Sequence, residues 1–397
     1  MNRVSKLLLG TFSLVVLTLV AGCAARGPQR TAEPVFYPPA PDPARLQFLT
    51  SFSSAEPWLQ RPSVLARFVV GDTGETRGEL KNPYGMAGRD GKLYICDVGA
   101  GVVHVIDIPA QRYSVLGTRE QVSRPVNVTI SPEGTKYVCD TGSRRIAVFG
   151  PDDRFVRHLG DSEESVPIDV ALGDGELYVA DVEDAELEAW SMDGELLRKL
   201  ATEGNGPGDL QMPTNLALGP EGNIFVSDTE LATVKKFDTE GRFQQSYGQP
   251  GDRPGYFARP KGVVVDSAGR IYVADAQWEV VQIFAPNGRL LLFFGGRAKG
   301  PEGMGLPAGL AIDRTSMPAF DGMLAEGFEA EYLLFVVNQF GLHKVGVYAF
   351  GEGPPRPEPG AEQSAAAGRE EPDSTPGGGP GDGEQPDERE RPAEEAD

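Results

Sequence analysis

The residues best suited to chemistry are three oxygen-bearing side chains that recur two positions after a proline. Asn127, Asp169 and Asn215 occupy this position in three successive segments of the chain. Amide and carboxylate oxygens suit Ca²⁺, which takes roughly six to eight oxygen ligands. The three residues are therefore a candidate ligand or metal site. The alternative, which we prefer, is that these side chains only hydrogen-bond backbone at a turn.

Little else in the chain suggests catalysis or a cofactor. There are three histidines, His104, His158 and His343, and none has a second metal ligand nearby in sequence. The absence of a Cys-x-x-Cys-His motif excludes covalently attached c-type haem. We predict no catalytic residues and no cofactor, with Ca²⁺ at the three polar residues as the exception to test.

The polar residues belong to a tandem repeat. Six segments open on proline and end in a short β-run that closes on Asp or Asn, with openings 42 to 47 residues apart. The openings are Pro83, Pro125, Pro167, Pro213, Pro260 and Pro307, and the closing residues are Asp97, Asp140, Asp181, Asp228, Asp275 and Asn338. Each closing acid precedes a polar turn, so we interpret these acids as structural. Gly85, Gly262 and Gly309 replace the polar residue in the other three repeats.

One repeat shows what each period forms. Residues 262–266, 270–274, 280–284 and 289–294 are β-runs separated by Gly, Asn and Pro turns. This pattern predicts a four-stranded antiparallel meander. A period in the forties made of such strands is typical of propeller blades, which must stack to bury their faces. The predicted fold is all-β, a six-bladed β-propeller of four-stranded antiparallel blades.

An N-terminal strand is expected to close the ring. The sixth repeat ends near residue 350 without a fourth strand, and residues 65–70 form an unassigned β-run before the first repeat. We predict that residues 65–70 complete the last blade, which would leave no long open edge. Another β-run, residues 45–53, has no evident place and is assigned to the outside of that blade or to a stalk.

The repeat resembles a known family. Residues 253–284, with Gly255, Pro260, Gly262 and a Tyr-Val-Ala-Asp run ending at Asp275, resemble an NHL repeat. Residues 140–149 match the end of that repeat, and the resemblance extends over about residues 60–350. It implies a propeller, a fold that serves both enzymes and binding platforms.

A second resemblance concerns the polar residues. Propeller lactonases of the gluconolactonase and paraoxonase type hold a divalent metal on the axis with Asn, Asp and Glu, which Asn127, Asp169 and Asn215 resemble. This implies a metal-dependent hydrolase or lactonase at the mouth of the central channel. The three glycines depart from that pattern, and no matching Glu is evident.

The N-terminus predicts export. Arg3 and Lys6 precede a short apolar stretch, and residues 19–23 resemble a bacterial lipobox that ends in Cys23. The resemblance implies a lipoprotein signal peptide over residues 1–22 and lipidation of Cys23. Ala24 follows the cysteine, so we expect anchoring at the outer membrane. An ordinary cleaved signal peptide is the alternative. Residues 23–60 are predicted as a tether and residues 61–351 as the propeller.

The C-terminal segment differs in composition from the rest. Residues 352–397 contain 14 Asp and Glu against four Arg, with much Pro and Gly, which predicts a disordered acidic tail. The whole chain has a net charge of −21. Nucleic acid and anionic lipid surfaces are therefore poor partners.

Cys96 and Cys139 hold equivalent positions in adjacent repeats. Such positions are too far apart for an unstrained disulfide, so we expect buried free thiols.

The sixth repeat carries an insertion over residues 314–331. Together with residues 36–39 and 46–49, this end of the chain resembles bacterial NHL lipoproteins associated with multihaem c-type cytochromes. The resemblance implies an accessory or scaffolding role at the cell envelope. We therefore predict a lipid-anchored interaction scaffold for envelope proteins, with multihaem cytochromes as leading partners, and a metal-dependent lactonase as the alternative.

Overall fold

The computed structural model describes residues 33–60, 76–160, 163, 165–298 and 300–353. The predicted signal peptide, Cys23, the predicted strand over residues 65–70 and the acidic tail from residue 354 onward lie outside these residues. The described strands form six antiparallel sheets. Two N-terminal strands, β1 (Val35–Tyr37) and β2 (Leu46–Phe52), belong to the last of these sheets.

Blades 1 to 5 each contain four strands that follow the chain order from the axis outward. Blade 1 contains β3 (Pro83–Arg89), β4 (Lys92–Asp97), β5 (Val102–Asp107) and β6 (Arg112–Leu116). Blade 2 contains β7 (Pro125–Ile130), β8 (Lys136–Asp140), β9 (Arg145–Phe149) and β10 (Phe155–Leu159). Blade 3 contains β11 (Pro167–Leu172), β12 (Glu176–Asp181), β13 (Glu186–Ser191) and β14 (Leu196–Ala201). Blade 4 contains β15 (Pro213–Leu218), β16 (Ile224–Asp228), β17 (Thr233–Phe237) and β18 (Phe243–Tyr247). Blade 5 contains β19 (Pro260–Val265), β20 (Ile271–Asp275), β21 (Val280–Phe284) and β22 (Leu290–Gly295).

Blade 6 contains β23 (Pro307–Asp313), β24 (Glu329–Asn338) and β25 (Val345–Glu352), followed outward by β2 and β1. The innermost strands β3, β7, β11, β15, β19 and β23 contact one another in ring order, and β23 returns to β3. The predicted six-bladed β-propeller is therefore confirmed.

Burial in each blade follows from its position between two neighbours. Strand β8 is buried along its whole length, whereas the residues of the outer strand β10 are exposed or half-buried except for the last one, Leu159. Apolar side chains of adjacent blades interlock, as where Leu187 of blade 3 packs in one cluster with Val226 and Phe237 of blade 4. Six such interfaces bury the two faces that a single sheet would expose.

The ring is closed by β2, which corrects the predicted assignment. Strand β2 pairs antiparallel with β25, from Leu46 opposite Phe350 to Phe52 opposite Val345. Residues 45–53 thus supply the fourth strand that we had assigned to residues 65–70. The propeller also begins before residue 61, because the second half of the predicted tether is folded into blade 6. Strand β1 adds a fifth strand outside β2.

Packing explains why this segment closes the ring. Phe48 meets the Tyr348 ring edge-on at 5.3 Å, and Leu46, Phe48, Leu49 and Phe52 are all buried. Gln47 also bonds the sixth-blade insertion, donating to the Met323 carbonyl at 3.0 Å and accepting the Ala325 N–H at 2.9 Å. Apolar burial and satisfied polar contacts therefore both favour residues 46–52 in this position.

The insertion itself packs inward. It contains short 3₁₀ turns at Met317–Ala319 and Asp321–Met323. Phe320, Met323 and Phe328 are buried, and Phe320 meets Trp58 edge-on at 5.3 Å. These apolar side chains stabilise the junction of blades 6 and 1 instead of being offered to a partner.

The two ends of the ring differ, and one of them positions the candidate site. The innermost strands all begin with proline at one end, which we call the proline face. The turns after the strand-ending acids lie on this face, while the sixth-blade insertion lies on the opposite face. Among the described elements, none is a helix long and apolar enough to cross a bilayer.

Candidate functional site at the axis

Each innermost strand enters the ring through the same local structure. The opening proline pairs with the strand-ending acid or amide, as Pro260 does with Asp275. The register then shifts within the next two or three residues in all six blades. Such bulges re-aim side chains, so the residues just after each proline do not follow simple alternation.

The strand-ending acids are structural, as predicted. Asp275 accepts the backbone N–H groups of Ala258 and Arg259 before the opening proline, and those of Gln277 and Trp278 in the following turn. Asp97 receives similar bonds. Burial opposes its ionisation, but hydrogen bonds from His104 and three backbone N–H groups lower its pKa to about 2.

The three predicted site residues lie on neighbouring blades and are buried. The Asn127 amide donates to the Ile168 carbonyl of blade 3 at 3.0 Å. Asp169 accepts the Val170 N–H at 2.9 Å, and from blade 4 it accepts the Leu216 N–H at 3.0 Å and the Asn215 amide at 3.3 Å. Asn127 and Asp169 therefore bond backbone of the next blade, whereas Asn215 bonds the Asp169 side chain.

Asp169 has an unusual environment. Burial raises its pKa to about 7, although the N–H groups of Leu216 and Val170 and the Asn215 amide act in the opposite direction. Its carboxyl group is therefore only partly ionised at neutral pH. Such a perturbed carboxyl group at a ring axis is a feature of functional sites and of structural networks alike.

The fit of a divalent cation to these residues is limited. Both Asp169 oxygens already accept N–H groups, so a cation would compete with those bonds. The Asn215 Oδ1 atom is buried and has no hydrogen-bond partner among the described residues, so a ligand could contact it without displacing an existing bond. No cluster of three or more His, Cys, Asp or Glu residues suited to a metal occurs in the described part of the chain.

The glycines of the other three blades permit close contact between backbones. A Cβ atom on Gly262 would lie 2.3 Å from the Ala308 carbonyl oxygen, and one on Gly309 would lie 2.3 Å from that of Tyr84. On Gly85 it would lie 1.8 Å from Asn127 Oδ1. Glycine is required at these positions because the next blade occupies the space of a side chain.

Sequence reasoning missed a second polar group at the proline face. Lys261 of blade 5 donates through Nζ to Gln339 Oε1 of blade 6, and its Nζ lies 5.2 Å from the ring centroid of Tyr84 in blade 1. The Gln339 amide donates to Asn82 Oδ1 at 3.3 Å. Only the proline spacing could have pointed to Tyr84 and Lys261, since each directly follows an opening proline.

The histidines and cysteines have structural surroundings. His104 lies 3.3 Å from Asp97 and 2.9 Å from the Tyr113 hydroxyl. His158 Nε2 lies 2.8 Å from the Gln121 carbonyl, and His343 lies 2.9 Å from the Ser51 hydroxyl.

Cys96 and Cys139 are buried free thiols, which confirms the prediction. Burial raises both thiol pKa values well above the ordinary range, so these cysteines are poor nucleophiles.

Exposed apolar side chains are the other feature of the proline face. In the β24–β25 turn, Leu342 is 84% and Phe340 is 55% exposed. In the equivalent turn of blade 5, Trp278 is 42% exposed. Large apolar groups at hairpin tips do not serve the core and are a feature of binding surfaces.

Comparisons with known proteins agree with this architecture. The family model of the NHL repeat matches residues 257–280. No curated protein matches the chain. A gluconolactonase from Xanthomonas campestris is similar in structure, with a TM-score of 0.52 and 15% identity over 82% of this chain and 97% of that one.

Two further solved structures are similar to this chain. A putative gluconolactonase has a TM-score of 0.51 and 16% identity over 69% of this chain and 90% of its own. A protein of unknown function from Bacteroides thetaiotaomicron has a TM-score of 0.53 and 15% identity over 78% of this chain and 76% of its own. At these identities the likeness concerns the fold alone. The chain is thus a six-bladed β-propeller that carries an NHL repeat at residues 257–280.

Proposed function

We propose that this protein is a non-enzymatic scaffold of the cell envelope, and that its proline face binds another exported protein. The observation that carries this proposal is the β24–β25 turn, where Phe340 and Leu342 project from a rigid ring. Exposed aromatic and aliphatic side chains on a rigid frame provide contact area at little entropic cost. Trp278, in the equivalent turn of the adjacent blade, is a further exposed apolar side chain on this face.

The lipobox resemblance at residues 19–23 supports an envelope location, with the propeller held at the outer membrane through a lipid on Cys23. The sequence resemblance to NHL lipoproteins found with cytochromes supports an exported multihaem c-type cytochrome complex as the leading client. The chain has no haem-attachment motif of its own, so in this proposal the haem belongs to the client.

Affinity purification from crosslinked, detergent-solubilised envelopes tests the scaffold. The full chain should recover haem-staining proteins, and the double variant Phe340→Ser/Leu342→Ser should lose them. A matched control is Leu196→Ser/Leu197→Ser, because these leucines are 48% and 49% exposed where β14 begins, on the opposite face. Equal recovery by both double variants, or recovery of the propeller alone from the wild type, would refute the scaffold proposal.

A second candidate function is a divalent-metal-dependent hydrolase or lactonase at the axis. The unpartnered Asn215 Oδ1 beside Asp169 favours it. In that case Asn127, Asp169 and Asn215 would hold the cation, which would polarise a carbonyl group of the substrate. Metal analysis and a lactone screen test this candidate: bound Ca²⁺ and hydrolysis should both disappear in Asp169→Ala.

A further inference from the structure

Four cationic side chains lie at the proline ends of three consecutive blades, close in sequence or space to the strand-ending acids Asp97 and Asp275. The chain carries a net charge of −21, yet Lys81, Arg259, Lys261 and Lys344 all lie at the proline ends of blades 1, 5 and 6. The Lys344 amine donates to the carbonyl groups of Lys81 at 2.9 Å and of Gln339 at 2.7 Å. Neutral backbone oxygens position this amine; burial lowers its pKa, and the nearby charge of Asp97 acts in the opposite direction.

Lys261 is the central member of this group. Its side chain starts on blade 5 and contacts Gln339 on blade 6 and Tyr84 on blade 1. A side chain that joins three consecutive blades must lie over the mouth of the ring. Lys261 is only 8% exposed, whereas Arg259, Tyr84 and Gln339 beside it are partly or fully exposed.

The electrostatic surroundings of Tyr84 also indicate a position near the mouth of the ring. Burial raises the pKa of its hydroxyl, the charge of Asp169 on blade 3 acts in the same sense, and Arg259 on blade 5 opposes both. A residue of blade 1 whose pKa is shifted by charges on both blade 3 and blade 5 lies close to the axis. Tyr84 and Lys261 are in contact here, and Arg259 precedes Lys261 by two residues on the same blade.

Two cations at this location, Lys261 and Arg259, have no ion-pair partner among the described residues. No carboxylate of the described residues forms an ion pair with Lys261 or Arg259, whereas lysines elsewhere do, such as Lys136 with Asp153. Burial and the nearby charge of Arg259 lower the pKa of Lys261 to about 8. A buried cation near a like charge is costly unless an anion compensates it.

We propose that the mouth of the ring at the proline face binds a small oxyanion, a carboxylate or a phosphate, with Lys261 as its main contact. Arg259 approaches the anion from the solvent side, and the amide of Gln339 is within reach of the same space. The anion supplies the ion-pair partner that Lys261 and Arg259 lack among the described residues. This site is independent of the proposed scaffold, because it needs neither Phe340 nor Leu342.

Calorimetric titration of the full chain tests the site, with sodium phosphate in one arm and sodium succinate in the other. Sodium chloride holds the ionic strength constant in both arms. Binding in either arm supports the site and identifies the class of anion. Absence of binding in both arms overturns the proposal, since the wild-type chain is the species tested.

Substitutions identify the contact. Lys261→Met should weaken binding about tenfold or more, the usual size of a charge-assisted hydrogen bond. The control Lys236→Met removes a lysine on blade 4 that lies 5.7 Å from the Phe225 ring centroid, and it should leave the affinity unchanged. Equal affinities for the two variants would overturn the assignment and reduce Lys261 to a brace between blades.

Two further measurements test the site without relying on the Lys261→Met variant. Arg259→Gln changes an exposed side chain and should weaken binding several-fold even if Lys261→Met does not fold. Wild-type affinity should also fall as the pH rises above about 8, because Lys261 then loses its proton. Affinity that is constant from pH 7 to pH 9 and insensitive to Arg259→Gln would contradict the site.

Discussion

The two halves of the ring reach the axis differently. In blades 2, 3 and 4 the second residue after the opening proline is Asn127, Asp169 or Asn215, and each of these side chains hydrogen-bonds a neighbouring blade. In blades 5, 6 and 1 this residue is Gly262, Gly309 or Gly85, and atoms of the next blade fill the space of a side chain. We call these the polar half and the glycine half.

The difference shows how one repeat produces two kinds of surface. In the polar half the register shift ends two residues after the proline, and in the glycine half it ends three residues after it. The longer irregularity accompanies close backbone approach. It also accompanies the long side chains of Tyr84 and Lys261 over the mouth. At the second residue after the proline, neighbouring blades are thus joined by side-chain hydrogen bonds in the polar half and by close steric fit in the glycine half.

The largest effect on stability should come from adding a side chain at one of the glycines of the glycine half. In Gly309→Ala the new Cβ atom would lie 2.3 Å from the Tyr84 carbonyl oxygen, so backbone must move. We expect a loss of about 3 kcal/mol in the free energy of unfolding, measured by urea denaturation. Gly322→Ala is the control, because nothing lies within 4 Å of its Cβ position. Similar losses in both variants would contradict the steric argument.

A pH effect should distinguish the polar half. Because the folded pKa of Asp169 is about 7 against an ordinary 3.8, the folded state binds its proton more tightly than the unfolded state. Its contribution to stability therefore falls as pH rises from about 4 to 7, with a slope of up to about 1.4 kcal/mol per pH unit.

The variant Asp169→Asn should remove this slope, as measured by urea unfolding at several pH values. The exposed Asp321→Asn on the opposite face should retain the wild-type dependence. A slope that persists in Asp169→Asn would show that another group causes it.

The smallest effect should come from Asn127→Ala. This change removes one hydrogen bond across blades, to the Ile168 carbonyl, and should cost about 1 kcal/mol in thermal or urea unfolding. Asn223→Ala, which loses only an exposed contact with Glu221, should stay within about 0.5 kcal/mol of the wild type. A loss in Asn127→Ala well above that of Gly309→Ala would reverse the ranking of the two halves.

Local patterns predicted most of the fold. In blade 5 the predicted run over residues 280–284 coincides with β21 (Val280–Phe284), and the other three runs differ from β19, β20 and β22 by two residues or fewer at each end. Turn residues and apolar alternation act over a few positions, so sequence alone reveals them. The structural role of Asp275 and its equivalents followed from the same local chemistry.

Long-range choices could not be predicted in this way. Residues 46–52 and 65–70 both read as β-runs in the sequence, and the pairing of 46–52 with β25 depends on contacts remote in sequence, such as Phe48 with Tyr348 and Gln47 with Met323. Lys261 was missed because its relevance depends on Gln339 and Tyr84, which are remote in sequence and adjacent only through the ring. Alternation also fails just after each proline, where the register shifts.

The pairing of β2 with β25 also sets the order in which the protein can fold. Leu46 cannot pair until Phe350 has been synthesised, about three hundred residues later in the chain. Ring closure therefore depends on contacts between residues very far apart in sequence. Blades 1 to 5 are each continuous in sequence and can form as they appear. Blade 6 is the exception, because its sheet combines the first described strands with the last. During synthesis, the edge of β2 that pairs with β25 therefore remains open until β25 arrives, and this interval is when the chain is most exposed to aggregation and most in need of a chaperone.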